Sequence, residues 1–187
     1  MADCVADLRA EHRGVLQMLD ILDAMQERFD ENEPVPPEDL QAALAFLRTF
    51  VDQCHHEKEE GLLFPAMTSA AMTGTADLVT ELEQEHVMGR EYVGRIAEEI
   101  ERYSRGDQAL GYQIARDLHG YAELLRRHIA LEEDVLYPQA LEQLPEYTQE
   151  RLVDGYDRIE REVVGEGRHE AFHEMLARMR EKYLQPA

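Results

Sequence analysis

Cysteine is scarce in this chain. Cys4 and Cys54 are the two cysteines among 187 residues, and they form neither a CxxC motif nor the framework of a disulfide-stabilised protein. This usage favours a reducing cytoplasm. The first residues, MADCVADLRAEH, lack the basic and apolar regions of a signal peptide. Since no apolar run approaches the roughly 20 residues that a membrane span needs, we expect a cytoplasmic protein without a membrane partner.

Basic residues are also few. Nineteen Lys and Arg stand against 40 Asp and Glu, which gives a formal net charge of −21. Binding to phosphate backbones depends on Lys and Arg, so this charge argues against nucleic acids and anionic membrane surfaces as partners. It also means that most carboxylates lie on solvated faces. A glutamate is therefore a candidate ligand only where its position is special.

Glycine and proline number 11 and 7 and cluster at a few points, so the stretches between them predict long helices. Their apolar residues recur at spacings of three and four, which is typical of helix-bundle seams. Short connections favour antiparallel neighbours. We predict an all-α fold: an antiparallel four-helix bundle over residues 1–140, with extra C-terminal helices at 141–187 packing on the same domain. The predicted helices lie at about 2–30, 38–63 (ended by Phe64-Pro65), 76–103, 107–136, 146–164 and 168–184.

Each of the four long helices carries one histidine on its apolar stripe: His12, His55, His86 and His128. The first two are 43 residues apart and the last two are 42 residues apart. The two halves of the chain thus repeat. A bundle with a pseudo-twofold axis would place all four histidines at a common level.

A second repeat lies within these halves. The sequence HHEKEEGLLFP at 55–65 recurs as HIALEEDVLYP at 128–138, a shift of 73 residues. Each copy holds a histidine and a glutamate four apart, His55/Glu59 and His128/Glu132, which share one helical face. The pair His56/Glu60 has the same spacing, but His56 aligns with Ile129. We therefore expect His56 and Glu60 to be solvated or to flank the ligands.

The two glutamates decide how the histidines are interpreted. A buried, unpaired carboxylate is costly, and Arg90 alone among the basic residues takes a seam position near Glu59 or Glu132. Divalent iron or a similar cation would satisfy two carboxylates and four imidazoles together. The alternative is that the histidines are ordinary core residues, which would make the chain an all-helical interaction module without metal.

The pattern lies in CHHEKEEGLLFPAM at 54–67, EHVMGREYV at 85–93, RRHIALEEDVLYP at 126–138 and GEGRHEAFHEMLARMREKY at 165–183. With Glu11-His12, these segments resemble hemerythrin-like proteins of the HHE cation-binding type over nearly the whole chain. The resemblance implies a four-helix bundle with a non-haem di-iron centre, oxo- or hydroxo-bridged when oxidised. Both glutamates would bridge the two iron ions, and each iron would take two histidines. The residues to which the resemblance assigns metal ligation are His12, His55, Glu59, His86, His128 and Glu132.

One position departs from the pattern of the oxygen-carrying hemerythrins. Those proteins have a second histidine four residues after the first on the third helix, where this chain has Arg90 after His86. The remaining set of four histidines and two glutamates resembles di-iron proteins linked to repair of iron-sulfur centres after nitrosative stress. Tyr121 lies two turns before His128. We interpret it as a packed core residue, with a role at or beside the metal as the alternative.

The resemblance implies a protein that binds or reacts with oxygen, nitric oxide or peroxide, in a redox or nitrosative stress response or in sensing. A di-iron enzyme and an iron donor for iron-sulfur cluster repair stay open as alternatives. Signalling would require a protein partner, which we would expect at the C-terminal helices. Iron itself rests on the resemblance, because the ligand types also admit manganese or zinc.

Two other motifs point to different metal sites. The sequence HEAFH at 169–173 fits the His-Glu-x-x-His pattern of zinc proteases, but no histidine follows it as a third ligand. Glu83-x-x-His86 and Asp52-x-x-His55 imitate the Glu-x-x-His spacing of ferritin-like di-iron proteins. That scheme leaves the 73-residue repeat without an explanation.

Overall fold

The structure is a computed structural model that describes residues 3–69, 74–164 and 168–184, and these residues contain helices and no strand. The all-α prediction is confirmed. Three helices are regular throughout: α1 (Ala6–Asp30), α3 (Thr75–Ser104) and α6 (Arg168–Tyr183). The other three contain π-helical turns: α2 (Pro37–Phe46, Leu47–His56, Glu59–Leu63, Phe64–Ser69), α4 (Gly111–Leu131, Glu132–Leu136, Tyr137–Gln143) and α5 (Glu146–Ile159, Glu160–Val164).

The helix limits follow the turn residues. Asn32, with a φ of 60°, lies in the turn after α1, and α2 begins at Pro37, whose missing N–H costs nothing in a first turn. Gly74 precedes α3 with a φ of 79°, a left-handed conformation that glycine adopts without a steric penalty. The predicted break at GEG, residues 165–167, lies outside the described residues.

Pro65 does not end the second helix, and this part of the sequence prediction is wrong. The N–H of Phe64 bonds to the carbonyl of Glu59, five residues back, so the turn before the proline is π-helical. A proline inside a regular helix lacks a donor, and its ring collides with the carbonyl four residues earlier. The wider turn relieves that collision, and α2 continues to Ser69.

The second copy of the repeat has the same π-helical turn before its proline. The N–H of Tyr137 bonds to the carbonyl of Glu132, again five residues back. Pro138 follows within the next helical segment, which ends at Gln143. Both repeated glutamates therefore begin a π-helical turn, a feature that is frequent at functional sites.

Cross-helix contacts show that neighbouring helices run antiparallel. Arg9 of α1 contacts Glu133 of α4, while Arg126, earlier in α4, contacts Asp20, later in α1. The other neighbouring pairs show the same reversal. The contacts are Glu11–Lys58 and Gly14–Phe50 between α1 and α2, Asp52–Arg90 and Glu60–His86 between α2 and α3, and Glu85–His128 and Arg95–Asp117 between α3 and α4.

Two apolar clusters fill the bundle on either side of a polar layer. In α1, Val5 and Leu8 belong to one cluster and Val15 onward to the other, so Glu11 and His12 lie between them. Each terminal helix joins one cluster. Leu152 and Tyr156 of α5 belong to the cluster that contains Val5, and Met175, Leu176 and Met179 of α6 belong to the cluster that contains Val15. None of the described helices is both long enough and apolar enough to cross a bilayer.

Candidate metal centre

The six residues proposed as ligands come together in the polar layer. One comes from α1, two from α2, one from α3 and two from α4, and each is at most 2% exposed. They form two groups of four potential ligands that share both glutamates. The groups are His12, His55, Glu59 and Glu132 on one side, and Glu59, His86, His128 and Glu132 on the other.

In each of these four histidines the ring nitrogen nearer the centre, Nε2 (the inner nitrogen), points at a carboxylate. The Nε2 atoms of His12 and His128 lie 3.2 and 3.1 Å from the two oxygens of Glu132. The Nε2 atoms of His55 and His86 both lie 3.6 Å from Oε2 of Glu59. The donors thus converge on one small volume, with the two carboxylates between the two pairs of imidazoles.

Three carboxylate oxygens in this volume lack a hydrogen-bond partner among the described residues: Oε2 of Glu59 and both oxygens of Glu132. Leaving such atoms unsatisfied in a dry interior is expensive. Burial and the neighbouring Glu132 raise the pKa of Glu59 well above its usual value. For Glu132, burial acts in the same direction, but His128 and His12 outweigh it and lower the pKa. A cation bound between the two carboxylates would give the unsatisfied oxygens a partner and would offset the repulsion between the two glutamates.

In each of the same four histidines the other ring nitrogen, Nδ1 (the outer nitrogen), donates to a second carboxylate. Nδ1 of His12 bonds to Glu133 at 2.9 Å, that of His55 to Glu11 at 2.8 Å, that of His86 to Glu60 at 2.6 Å and that of His128 to Glu85 at 3.0 Å. A carboxylate on Nδ1 orients the ring and directs Nε2 at the centre, as in metal-ligating histidines. There the Nε2 atoms of His86 and His128 also lie within hydrogen-bond distance of each other, at 2.9 Å. All four rings are therefore oriented for ligation.

These four outer carboxylates follow a simple rule that the sequence analysis missed, although it gave flanking the ligands as one expectation for Glu60. Glu11 and Glu85 directly precede the histidines of α1 and α3, and Glu60 and Glu133 directly follow the ligand-type glutamates of α2 and α4. In each case the adjacent residue turns away from the centre and bonds to a histidine of another helix. The repeated dipeptides Glu-His and Glu-Glu are the sequence pattern from which these four carboxylates could have been predicted.

A sequence model of the hemerythrin HHE cation binding domain matches residues 3–140. The chain belongs to the hemerythrin HHE cation-binding domain family. The matched region contains every residue of the polar layer described above, and membership indicates a cation-binding site. The histidine and glutamate groups are arranged as such a site requires.

Curated relatives add similarity but no function. Uncharacterised proteins of Mycobacterium tuberculosis (strains H37Rv and CDC 1551) and of Mycobacterium bovis are each 25% identical over 132 residues. That region is 71% of this chain and 51% of each relative, so the chain spans about half the length of the curated relatives it matches. No solved structure matches the chain significantly.

A buried ion pair supports one outer carboxylate of this hemerythrin-type centre. Lys58 is fully buried and pairs with Glu11, the carboxylate that orients His55. Burial raises the pKa of Glu11, but His55 and Lys58 outweigh burial and the net shift is downward. The ammonium group also lies 3.7 Å from Glu160 of α5. Lys58 thus connects the inner site to the C-terminal extension.

Tyr137 is a residue of the centre that the sequence analysis did not select. Its hydroxyl donates to Oε1 of Glu59 at 2.8 Å and lies 3.2 Å from Nε2 of His12. Its ring stacks on the ring of His12. In the repeat, Tyr137 aligns with Phe64, which stacks on His86 in the same way but has no hydroxyl. The alignment of LLFP at 62–65 with VLYP at 135–138 already showed that a tyrosine replaces a phenylalanine at this position.

Of the two alternatives expected for His56, solvated or flanking the ligands, the structure agrees with the second. His56 is 4% exposed, and its ring stacks on His86 with a centroid separation of 3.8 Å. Burial and the neighbouring His86 lower the pKa of His56 well below its usual value. Arg90 neutralises neither central glutamate, because it pairs with Asp52 and Glu60 at the surface. Tyr121 is buried in the apolar cluster, as expected of a core residue.

The ferritin-like scheme finds no support in this geometry. Glu83 is exposed, and Asp52 is an ion-pair partner of Arg90 near the surface. Neither residue belongs to a group of potential metal ligands among the described residues. The same holds for His173 of the protease-like motif, which lies exposed on α6. The side chain of His169 lies outside the described residues.

Removing one outer carboxylate should weaken metal retention. Glu85→Gln loses the charged acceptor on Nδ1 of His128, and we expect metal affinity to fall roughly 10–100-fold. Chelator competition with ferrous iron or cobalt measures the change. Glu83→Gln, on the exposed side of the same helix, is the matched control and should leave affinity unchanged. Equal affinities of the two variants would contradict the assigned role of Glu85.

Removing the buried ammonium group should destabilise the fold. Lys58→Met leaves Glu11 buried beside His55 without its cation, and breaking such a pair costs about 3–5 kcal/mol. Urea unfolding of the metal-free protein, followed by far-ultraviolet circular dichroism, measures the loss. Lys182→Met breaks an exposed pair with Asp39 and should cost less than about 1 kcal/mol. A loss equally small for Lys58→Met would show that the pair adds little to stability.

Proposed function

We propose that the centre holds two iron ions and binds or reacts with oxygen, nitric oxide or peroxide. One ion would take His12 and His55, the other His86 and His128, and Glu59 and Glu132 would bridge them. The observation that carries the proposal is the orientation of the four imidazoles. Each has its outer nitrogen fixed by a carboxylate and its inner nitrogen directed at carboxylate oxygens that lack a partner among the described residues.

The donor set suits iron but leaves it incompletely coordinated. Two imidazole nitrogens and two carboxylate oxygens give each ion four protein ligands, a mixture that iron accepts. When bound, such a pair of ions supplies two redox-active centres with free coordination positions. The protein residues hold the imidazoles rigidly, and the apolar clusters on both sides exclude bulk water. The hydroxyl of Tyr137 is positioned to donate a hydrogen bond at the edge of the centre.

A surface cavity provides a route for a small ligand. It has a volume of about 290 Å³, and its lining includes His56, Gly89, Arg90, Gly94 and Tyr121. His56 forms part of its inner wall and stacks on His86 of the centre. A diatomic molecule or peroxide fits such a volume.

The burial of the centre favours a bound, retained metal over an iron donor. Every proposed ligand is at most 2% exposed, and the Lys58–Glu160 contact holds α5 beside α2. An interaction module without metal would leave Oε2 of Glu59 without a hydrogen bond at the core and would rely on His12 and His128 to neutralise Glu132. We place the protein in the cytoplasm on the strength of the free thiols of Cys4 and Cys54. If the protein signals, α5 and α6 are the surfaces that a partner would reach.

Metal analysis tests the proposal. Protein made in iron-replete cells should contain about two irons per chain, by atomic emission. Glu59→Gln with Glu132→Gln removes both bridging charges and should abolish binding. Glu57→Gln is the control, since Glu57 is exposed on the same turn of α2 as Glu59. Absence of metal from the unaltered protein, or its full retention in the double variant, would refute the centre.

Narrowing the cavity tests the route. A Cβ added at Gly94 meets nothing within 4 Å, so Gly94→Leu should fold and place its side chain in the cavity. We expect a slower association of nitric oxide with the ferrous protein, at unchanged iron content, in stopped-flow absorption. Gly94→Ala adds a methyl group and serves as the control. Equal rates for the two variants would show that ligands enter elsewhere.

A further inference from the structure

One wall of the 290 Å³ surface cavity is a π-helical segment that no proline explains. Leu47–His56 of α2 forms this ten-residue segment, and no proline lies within it or directly after it. Half of the residues that line the cavity come from the segment: Leu47, Arg48, Asp52, Gln53 and His56. Backbone bonds between residues five apart widen the helix, which brings Leu47 and Asp52, and likewise Arg48 and Gln53, to the same face. Turns of this kind are rare and often mark functional sites.

The hydroxyl of Tyr121 is a buried polar group of this cavity that the fold leaves without a partner. Tyr121 is 2% exposed, and its ring packs in the apolar cluster and against Gly89 of α3. Its hydroxyl makes no hydrogen bond to any residue that the structure describes, and the charged group that influences it, Asp52, lines the same cavity. Burying an O–H without an acceptor costs free energy. An acceptor inside the cavity would remove that cost.

Tyr121 is suited to donate. Burial, together with the negative charge of Asp52, raises the pKa of its phenol above the usual value. The hydroxyl therefore keeps its proton at neutral pH and can donate one hydrogen bond into the cavity.

The charges of the lining favour an anion. Arg48 and Arg90 are opposed by Asp52 alone among the lining residues, in a protein with a net charge of −21. Arg90 pairs with Asp52 and Glu60, whereas Arg48 has no ion pair within the described ranges. A small anion with acceptor oxygens would pair with Arg48 and accept the hydrogen bond of Tyr121.

A second cavity near the centre has the opposite charge. Its volume is about 350 Å³, and four carboxylates line it, those of Asp7, Glu11, Asp157 and Glu160. Neither lysine nor arginine is among its lining residues. The lining that favours an anion is thus a property of the cavity at Tyr121 and does not extend to every opening near the centre.

The ring of His56 separates the cavity at Tyr121 from the metal centre. It forms part of the inner wall of the cavity, and it also lines a narrow void beside His12, His55 and His128. A ligand held in the cavity is therefore kept next to the centre without entering it.

We propose that this cavity is a binding site for a small oxyanion, a carboxylate or an inorganic oxyanion. The hydroxyl of Tyr121 is the inner hydrogen-bond donor, and the guanidinium group of Arg48 supplies the positive charge at the mouth. The inference rests on the proposed function, which takes the cavity as the route to the centre. It adds a holding site on that route and the class of ligand that the site selects.

Formate is the probe, because it is a small oxyanion with a proton that saturation-transfer NMR detects. Formate is titrated into the zinc-loaded full-length protein, which is diamagnetic. Tyr121→Phe removes the hydroxyl and keeps the ring, and Tyr112→Phe, at a 73% exposed position of the same helix, is the matched control. Arg48→Gln removes the positive charge, and its control is Arg105→Gln, which breaks an exposed pair with Glu101.

We expect the unaltered protein and both controls to bind formate with the same affinity. Tyr121→Phe should bind roughly 10–100-fold more weakly, since it loses a hydrogen bond to a charged acceptor. Arg48→Gln should also bind more weakly, and its affinity should depend less on salt concentration. Methylammonium, a cation of similar size, should not compete with formate. Absence of saturable binding, equal affinities for Tyr121→Phe and Tyr112→Phe, or competition by methylammonium would overturn the proposal.

Iron analysis of the protein from iron-replete cells separates this proposal from the proposed function. Formate binding that depends on Tyr121, in a chain that holds no iron, would support the oxyanion site and refute the di-iron centre. About two irons per chain without formate binding that depends on Tyr121 would overturn the oxyanion site alone.

Discussion

The structure depends on one electrostatic constraint: Glu59 and Glu132 face each other inside a dry bundle. Two carboxylates in this position repel each other and are cut off from water, so the fold needs positive charge between them. No Lys or Arg of the described chain reaches them; Arg90 is at the surface and Lys58 serves Glu11. Four imidazoles surround the pair instead. A bound cation would supply the missing charge, and it would account for the convergence of all four Nε2 atoms on this volume.

The outer shell of the centre serves the same constraint. Four carboxylates bond to the Nδ1 atoms, which fixes the orientation of the rings and directs the Nε2 atoms at the centre. The long helices fix the positions of these groups, and the π-helical turns that begin at Glu59 and Glu132 let each helix continue past its proline. Ligands, outer carboxylates and backbone irregularities therefore repeat together. The halves differ at His56/Ile129 and at Tyr137/Phe64, so the two groups of potential ligands have unequal surroundings.

Much of this could be predicted from the sequence. Prolines, glycines and apolar spacing located most helix limits to within a few residues, because turn residues and seam periodicity are local signals, but they placed the ends of α2 and α4 about six or seven residues too early. The repeat selected His55 over His56 and Glu59 over Glu60 as the central pairs. Other features depend on packing between distant segments. The burial of Lys58 requires Glu11 and α5, and the burial of His56 requires His86 of α3. The continuation past Pro65 and Pro138 was missed because a widened turn has no strong residue preference of its own.

The most direct test of the central claim is a crystal structure of the iron-loaded protein with anomalous data collected on both sides of the iron absorption edge. The account predicts two iron peaks about 3.5–4 Å apart, both beside Glu59 and Glu132, with one next to His12 and His55 and the other next to His86 and His128. A single peak, or iron bound outside the polar layer, would contradict it.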